Sequence, residues 1–246
     1  MKGTTPEGAR NEQEAARWVR QMFGRVAPRY DLANHLLSFN MDRYWRARTV
    51  KWVRNVLERP GTRVLDLCCG TGDLLLALER RASSVVLGSD FCHPMLVAAN
   101  RKIAQRPAHA VTFEADALRL PLPDHSLDLV TVAFGFRNLA NYDAGLEEIG
   151  RVLATGGVVA ILEFSQPPNR AFAALYNFYS RRVLPWIGGA LSGSRDAYTY
   201  LPESVRKFPN ADDLAGRMRA AGFVEVEFEY LTGGIVALHI GKRAIS

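Results

Sequence analysis

The sequence predicts an α/β fold, a mostly parallel sheet of seven strands with an antiparallel last strand, preceded by N-terminal helices. From Thr62 onward, short and almost continuously apolar runs alternate with helical stretches. That pattern is typical of parallel strands buried between crossover helices. The last two apolar runs are separated only by Thr232-Gly233-Gly234. This gap suits a hairpin, which would reverse the final strand.

Each predicted strand corresponds to one apolar run. The runs are 62–68, 84–90, 111–116, 127–134 and 157–164, followed by the hairpin pair 223–231 and 235–242. Helical stretches fall between most of the first five runs, so the carboxyl ends of these strands should meet at one edge of the sheet. Ligands of open α/β sheets bind at that edge.

The region before the first strand is predicted to be helical. Residues 1–12 are rich in Gly, Thr, Pro, Glu and Asn, and we expect a disordered tail there. Residues 13–60 are expected to form an N-terminal helical segment. Its predicted helices are Glu12–Val26, which begins one residue before the segment, and Arg43–Glu58. The second has an apolar stripe along one face. Residues 61–246 form the remaining domain.

Composition excludes several classes of protein. The 246 residues are 48% hydrophobic and 23% charged, which excludes a largely disordered chain. Cys68, Cys69 and Cys92 are odd in number, so a disulfide scaffold is excluded, and without a CxxC pair we expect no metal site. We expect a cytoplasmic protein, since the N-terminus resembles no signal peptide and no apolar run reaches the roughly 18 residues of a membrane span.

The first strand leads into a glycine-containing loop, Asp66-Leu67-Cys68-Cys69-Gly70-Thr71-Gly72-Asp73. Gly70 and Gly72 allow a tight turn and a close approach of the backbone to a ligand. Asp90 ends the second run, where an acid can hold both hydroxyls of a ribose. Asp116 ends the third run, where an adenine edge would lie.

A dinucleotide is the competing ligand for such a loop, but the charges of this loop disfavour a dinucleotide. Leu75 stands where a third glycine is expected, and the carboxylates of Asp66 and Asp73 would repel a pyrophosphate. No Lys or Arg lies between Asp66 and Glu79. S-adenosylmethionine, with its ammonium, sulfonium and ribose, fits this loop better. Asp73 has a second interpretation, as an acid favoured by the dipole at a helix start.

Longer strings narrow the prediction further. They are VAPRYDLAN (26–34), FGFRNLANYDAGLEEIGRVLATGGVVAILEFSQP (134–167), LPWIGG with AYTYLPESVRKFP (184–209) and TGGIVALHIGK (232–242). Together with the glycine loop, these strings resemble the quinone-biosynthesis C-methyltransferases, which are Rossmann-like class I methyltransferases. The resemblance extends from about Met22 to Lys242. It implies an S-adenosylmethionine-dependent methyltransferase domain over 61–246 and a lid over 13–60.

The resemblance implies C-methylation of a prenylated quinol ring, above all of demethylmenaquinol to menaquinol. The Cys68-Cys69-Gly70 loop favours the menaquinone or phylloquinone branch over the ubiquinone branch. The alternative substrates are a quinol of the ubiquinone or phylloquinone pathway, or another small lipid or phenolic compound. The implied cofactor residues are Asp66, Gly70, Thr71, Gly72, Asp90, Asp116 and Ala117.

Three residues are the implied catalytic candidates. Arg137 would stabilise a phenolate, because a nearby cation favours the anion, or would orient a water acting as base. Its other interpretation is a surface ion pair with Asp143 or Glu147. Asn138 would hold a ring oxygen of the quinol. Tyr30 would align the quinol or would serve only as an aromatic packing group.

Other polar and aromatic residues carry two interpretations each. His239 is a proton relay or, more simply, a structural histidine. The tyrosines of AYTYLPES, Tyr198 and Tyr200, are expected at the substrate entrance. An aromatic run would form a wall for a prenyl tail or an ordinary helix packed on the sheet; its members are Phe172, Tyr176, Phe178, Tyr179 and Trp186.

The charge distribution predicts an anionic partner outside the pocket. Residues 1–60 hold 12 Lys and Arg against 6 Asp and Glu, and residues 170–210 hold 6 against 2. Since a prenyl tail lives in the bilayer, we expect peripheral, reversible association with the inner face of the membrane. The alternative is an ordinary solvated surface. We expect no nucleic-acid partner, because no appended binding module is present, and a homodimer is left open.

Overall fold

Seven strands form one sheet in the computed structural model, which describes residues 3–179, 182 and 195–244. The strands are β1 (Val64–Leu67), β2 (Val86–Asp90), β3 (Val111–Glu114), β4 (Leu127–Ala133), β5 (Leu153–Phe164), β6 (Phe223–Leu231) and β7 (Val236–Arg243). Their order is β3-β2-β1-β4-β5-β7-β6. Strand β7 is antiparallel to both of its neighbours, and the other pairings are parallel. The predicted sheet is confirmed.

Helices precede the sheet and alternate with its strands. They are α1 (Glu12–Val26), α2 (Tyr30–Leu37), α3 (Met41–Trp52), α4 (Arg54–Leu57), α5 (Asp73–Glu79), α6 (His93–Ala104), α7 (Tyr142–Val152), α8 (Arg170–Phe178), α9 (Arg195–Lys207) and α10 (Ala211–Ala220). The predicted bounds of α1 are confirmed, and Asn11 caps it by accepting a hydrogen bond from the backbone N–H of Glu14. The predicted helix Arg43–Glu58 is instead two helices, which meet at Val53.

The described part of the predicted tail differs from the expectation. Thr4 is buried, its backbone N–H donates to the carbonyl of Leu139, and its hydroxyl lies 2.7 Å from the Tyr200 hydroxyl. Residues 3–6 therefore lie against the domain, whereas Glu7, Gly8, Arg10 and Asn11 are exposed. Composition could not anticipate this packing, because the partners of Thr4 lie more than 130 positions away in the sequence.

The core lies on both faces of the sheet because side chains alternate along each strand. Leu65 and Leu67 of β1 pack into one apolar cluster with Phe136 and helix α7. Val64 packs into the opposite cluster, which includes Trp45 of the N-terminal helices. The N-terminal helices thus belong to the core of the protein. Among the described residues, no helix combines the length and apolar character needed to cross a bilayer.

Candidate functional site

Two cavities lie where the carboxyl ends of the parallel strands face the N-terminal helices. The polar cavity is lined by four acids and by the glycine loop; its lining includes Asp66, Gly70, Thr71, Asp73, Asp90, Asp116, Ala117 and Asn138. The apolar cavity, about 580 Å³, is walled by aromatic rings, which include Trp45, Phe164, Phe172, Tyr176 and Tyr179. Phe23, Tyr30, Arg46 and Phe134 line both cavities and mark their junction.

The structure brings six of the seven predicted cofactor residues to the polar cavity. Gly72, the seventh, does not line it. Gly72 is the N-cap of α5 with φ +83°, and a Cβ there would lie 3.2 Å from Ala99 of α6. Its role is therefore to let the loop turn against α6. Asp116 lies two residues beyond the end of β3 rather than at it, where its Oδ1 accepts from the backbone N–H of Leu118.

Asp90 is held by two backbone N–H groups. Its Oδ2 accepts from the N–H of Gly70 at 2.9 Å, and its Oδ1 accepts from the N–H of Cys92 at 2.8 Å. Burial raises the pKa of Asp90 to about 6, although these hydrogen bonds act in the opposite direction. Each carboxylate oxygen keeps a lone pair, so the group can accept two further hydrogen bonds.

Asp66 is the least satisfied acid of the site. Its Oδ1 accepts from the Thr131 hydroxyl at 2.8 Å, whereas its buried Oδ2 makes no hydrogen bond of good geometry. Burial raises the pKa of Asp66 to about 7. A buried carboxylate with an unpaired oxygen favours a cation beside it, because the cation compensates the lost hydration.

An ion network that the sequence did not predict joins the N-terminal helices to the glycine loop. The Nζ of Lys102 lies 2.5 Å from Asp31 Oδ2, 2.7 Å from Asp73 Oδ1 and 3.2 Å from the Thr71 hydroxyl. The Thr71 hydroxyl in turn donates to Asp31 at 2.5 Å. Asp73 is therefore more than a helix-start acid. Only its position beside the glycines could have signalled this role.

A second network fixes Arg46 at the junction of the cavities. Its Nη1 donates to Asp42, and its Nη2 lies 3.5 Å from Asp73 Oδ2. The buried Asp42 also lies 2.7 Å from His35 Nδ1 and accepts from the Ser38 hydroxyl at 2.8 Å. Burial acts to raise the pKa of Asp42, but hydrogen bonds from Ser38 and Arg46 prevail and hold it below its usual value.

Arg137 lies at the wall of the apolar cavity and is 4% exposed. Its partner is Glu163 on β5, with 2.9 Å between Nη1 and Oε1, so the expected alternative of a surface pair with Asp143 or Glu147 is wrong. Glu163 also accepts from the backbone N–H of Arg137. Burial lowers the pKa of Arg137, but the charge of Glu163 and its hydrogen bond, together with Tyr30 and Tyr200, raise the pKa above its usual value, so the group stays cationic. Its buried Nε has no protein partner.

The other two catalytic candidates occupy different places. Tyr30 lines both cavities, and burial raises the pKa of its phenol against the opposing charge of Arg137. Asn138 lines only the polar cavity, and its Oδ1 accepts from the Tyr200 hydroxyl at 3.0 Å. The lining of the apolar cavity includes Tyr200 but does not include Asn138.

His239 and the aromatic run lie in different parts of the structure. His239 lies outside the linings of both cavities, with its Nε2 2.8 Å from the carbonyl of Ala211, and burial lowers its pKa to about 4. This favours the structural interpretation. Three of the aromatic run, Phe172, Tyr176 and Tyr179, line the apolar cavity. Trp186 and the Tyr198 side chain lie outside the described residues.

Solved structures with the same architecture share little sequence with this chain. The [4+2]-cyclase SpnF superposes with a TM-score of 0.69 at 17% identity, over all of both chains. A SAM-dependent methyltransferase from Aquifex aeolicus superposes with a TM-score of 0.58 at 18% identity, over 80% of this chain and 89% of that one. A cyclase and a methyltransferase share this fold, so these likenesses show the fold alone.

Several other proteins share far more sequence with this chain. The Thermus thermophilus demethylmenaquinone methyltransferase is 51% identical, over 90% of this chain and 100% of that protein. The Deinococcus radiodurans demethylmenaquinone methyltransferase is 44% identical over 95% of each. The ubiquinone/menaquinone biosynthesis C-methyltransferase UbiE of Geobacter sulfurreducens is 42% identical, over 92% and 89%. The model of the ubiE/COQ5 methyltransferase family matches residues 9–243. The predicted family is thus confirmed, and the chain is a methyltransferase that belongs to the ubiE/COQ5 methyltransferase family.

Proposed function

We propose that the polar cavity binds S-adenosylmethionine, which supplies an electrophilic methyl group carried on a sulfonium. The observation that supports this fit is the unpaired, buried Oδ2 of Asp66. The cavity is rich in acids at the strand ends, which suits a ligand with an ammonium, a sulfonium and a ribose. The same acids disfavour a pyrophosphate.

The proposed contacts follow the strand order. Asp90 accepts from the ribose hydroxyls, Asp116 and Ala117 lie at the adenine edge, and Asp66 pairs with the ammonium. Gly70 and Thr71 bring the loop backbone close to the ligand. The lid, residues 13–60, closes the cavity from the other side through Phe23 and Tyr30.

We propose that the apolar cavity binds a prenylated quinol, with demethylmenaquinol as the acceptor of the methyl group. The observation that carries this proposal is a pair of unpartnered buried donors in an aromatic cavity, Arg137 Nε and the Ser165 hydroxyl. A cavity of about 580 Å³ lies within the usual range for small-molecule sites. The names of the relatives support the same substrate class.

In this proposal the quinol hydroxyl gives its proton to water and Arg137 stabilises the phenolate. The phenolate raises the electron density on the ring carbon that accepts the methyl group. The new C–C bond would form as the methyl–sulfur bond breaks, and the ring carbon would then give its own proton to water, which restores the aromatic ring. Glu163 holds the guanidinium in place, so its orientation is set before the quinol binds. The phenol of Tyr30 stays neutral, because its pKa is raised, and donates a hydrogen bond to the head group. Asn138 acts by holding Tyr200 in the cavity wall.

We further propose that the mouth of the apolar cavity rests reversibly on an anionic membrane surface. Phe39 lines the cavity and is also 77% exposed, so it stands at the mouth. Leu32 and Leu36 of α2 are 57% and 48% exposed, and Phe178 of α8 is 63% exposed. Exposed apolar side chains beside the basic segments 1–60 and 170–210 suit an interface with anionic lipid.

The enzyme assay uses methyl-labelled S-adenosylmethionine with demethylmenaquinol, a demethylated ubiquinone-type quinol or bulk RNA. We expect label in the menaquinol, with Asp90→Ala as a variant of much lower activity. Label in the ubiquinone-type quinol alone would move the substrate to the other branch. Label in RNA alone would contradict the proposed substrate class.

Replacing Arg137 tests its proposed role in turnover. Arg137→Lys keeps the charge but removes the Nε donor, and we expect kcat to fall roughly 10- to 100-fold, because a charge-assisted hydrogen bond contributes about 1.5–3 kcal/mol. Calorimetry should give an unchanged affinity for S-adenosylhomocysteine. Arg151→Lys is the matched control, since Arg151 pairs with Asp124 and Glu148 away from both cavities. Normal kcat with weakened cofactor binding would refute the role.

Cofactor binding should release protons near pH 6, because Asp66 and Asp90 have raised pKa values of about 7 and about 6. Below these values the free protein holds protons that the ligand must displace. Affinity should therefore rise with pH between 5 and 8, by at most about tenfold per pH unit for each coupled group. Calorimetry in buffers of different ionisation enthalpy measures the release, and Asp66→Asn should release fewer protons. A proton count of zero for the wild type at pH 6 would contradict this.

Liposome sedimentation tests the proposed membrane face. The wild type should bind anionic liposomes, and binding should fall as salt rises, because salt screens the basic segments. Leu36→Ser with Phe39→Ser should weaken binding about tenfold or more, since each removes a large apolar side chain. Val85→Ser is the control, because Val85 is 48% exposed before the start of β2, away from the cavity mouth. Equal loss in the control would exclude this face.

A further inference from the structure

Arg46 is the one basic side chain among the described residues that line the polar cavity. Four carboxylates line the same cavity: Asp66, Asp73, Asp90 and Asp116. We infer that Arg46 binds the carboxylate at the amino-acid end of the cofactor. This inference rests on the proposed cofactor, whose amino-acid end carries an anion beside its ammonium. The acids can serve the ammonium and the ribose, but an anion requires a cation.

The strand order places Arg46 at the correct end of the cavity. Along the carboxyl edge the order is β3, β2, β1 and β4. Asp116 follows β3 and Asp90 ends β2, so the nucleoside lies on that side and the amino-acid end lies near β1 and β4. The Arg46 guanidinium lies 6.0 Å from the centre of the Phe134 ring, just beyond β4.

Arg46 is also held so that some of its donors are available. Its side chain is 11% exposed, and Asp42 anchors Nη1. Its contact with Asp73 is 3.5 Å, which is longer than a good hydrogen bond. A guanidinium has five N–H donors in a planar fork that matches a carboxylate. Arg46 can therefore bind a second carboxylate without leaving Asp42.

The negative charge of Asp73 does not depend on Arg46 for a cationic partner. Lys102 pairs with its Oδ1 at 2.7 Å. When the guanidinium turns toward the ligand, Asp73 keeps a cation. The exchange thus replaces a long contact by a short one and leaves Asp73 paired with Lys102.

The proposed contact would connect the cofactor to the N-terminal helices. Arg46 belongs to α3, so the cofactor's carboxylate would bond directly to the lid. The same side chain lines the apolar cavity as well. A role in holding a quinol oxygen is therefore the competing assignment, and the experiment must separate the two.

The experiment compares two ligands by calorimetry, S-adenosylhomocysteine and 5′-methylthioadenosine, which lacks the amino-acid moiety. Arg46→Gln should weaken S-adenosylhomocysteine roughly 10- to 100-fold, as expected for the loss of a charge-assisted pair. Its affinity for 5′-methylthioadenosine should stay within about twofold. Arg46→Lys should lose less, because it keeps the charge. Asp90→Ala should weaken both ligands by similar factors.

Arg48→Gln is the matched control, since Arg48 lies on the same helix but pairs with Glu229 at 2.8 Å, outside the linings of both cavities. It should leave both affinities unchanged. Equal loss of both ligands in Arg46→Gln would overturn the inference. Unchanged S-adenosylhomocysteine affinity with a raised KM for the quinol would assign Arg46 to the substrate instead. A wild type that binds neither ligand would refute the cofactor proposal itself.

Discussion

Lys102 of α6 joins the N-terminal helices to the glycine loop, and both cavities lie between those helices and the sheet edge. Its ammonium contacts Asp31 of the N-terminal helices and Asp73 of the loop at 2.5 and 2.7 Å. Each cavity has one wall in those helices and the other at the sheet edge. The attachment adds to the apolar packing of Trp45 that holds these helices in place. Enclosure strengthens the charge interactions inside the cavities, because water would weaken them.

The same network controls how many acids the site can carry. The charge of Asp90 adds to the burial that raises the pKa of Asp66, because like charges disfavour ionisation. Lys102 and Arg46 compensate Asp73, whereas Asp66 keeps an unpaired oxygen and a pKa raised to about 7. Part of the negative charge thus remains available for a ligand. This explains how a protein with a net charge of +6 presents an acidic pocket.

The sheet could be predicted because each strand corresponds to a local run of apolar residues in the sequence. Each apolar run gave a strand, and the bounds of β6 match its run. Asp90 and the loop glycines could be placed because their spacing follows from the strand ends. Lys102 and Arg46 could not, because their partners come from distant segments and helical periodicity treats both as surface residues. Glu163 could have been noticed, since a carboxylate inside an otherwise apolar run requires a buried partner.

Arg46 and Arg137 share one arrangement on the two sides of the cavity junction. Each guanidinium is fixed by a buried carboxylate, Asp42 in one case and Glu163 in the other. Burying a charged pair is unfavourable through desolvation, and folding meets that cost before any ligand arrives. The remaining donors are then already oriented and only partly hydrated. A site built in this way gains more from an incoming anion than a flexible surface arginine could, because little side-chain freedom is left to lose.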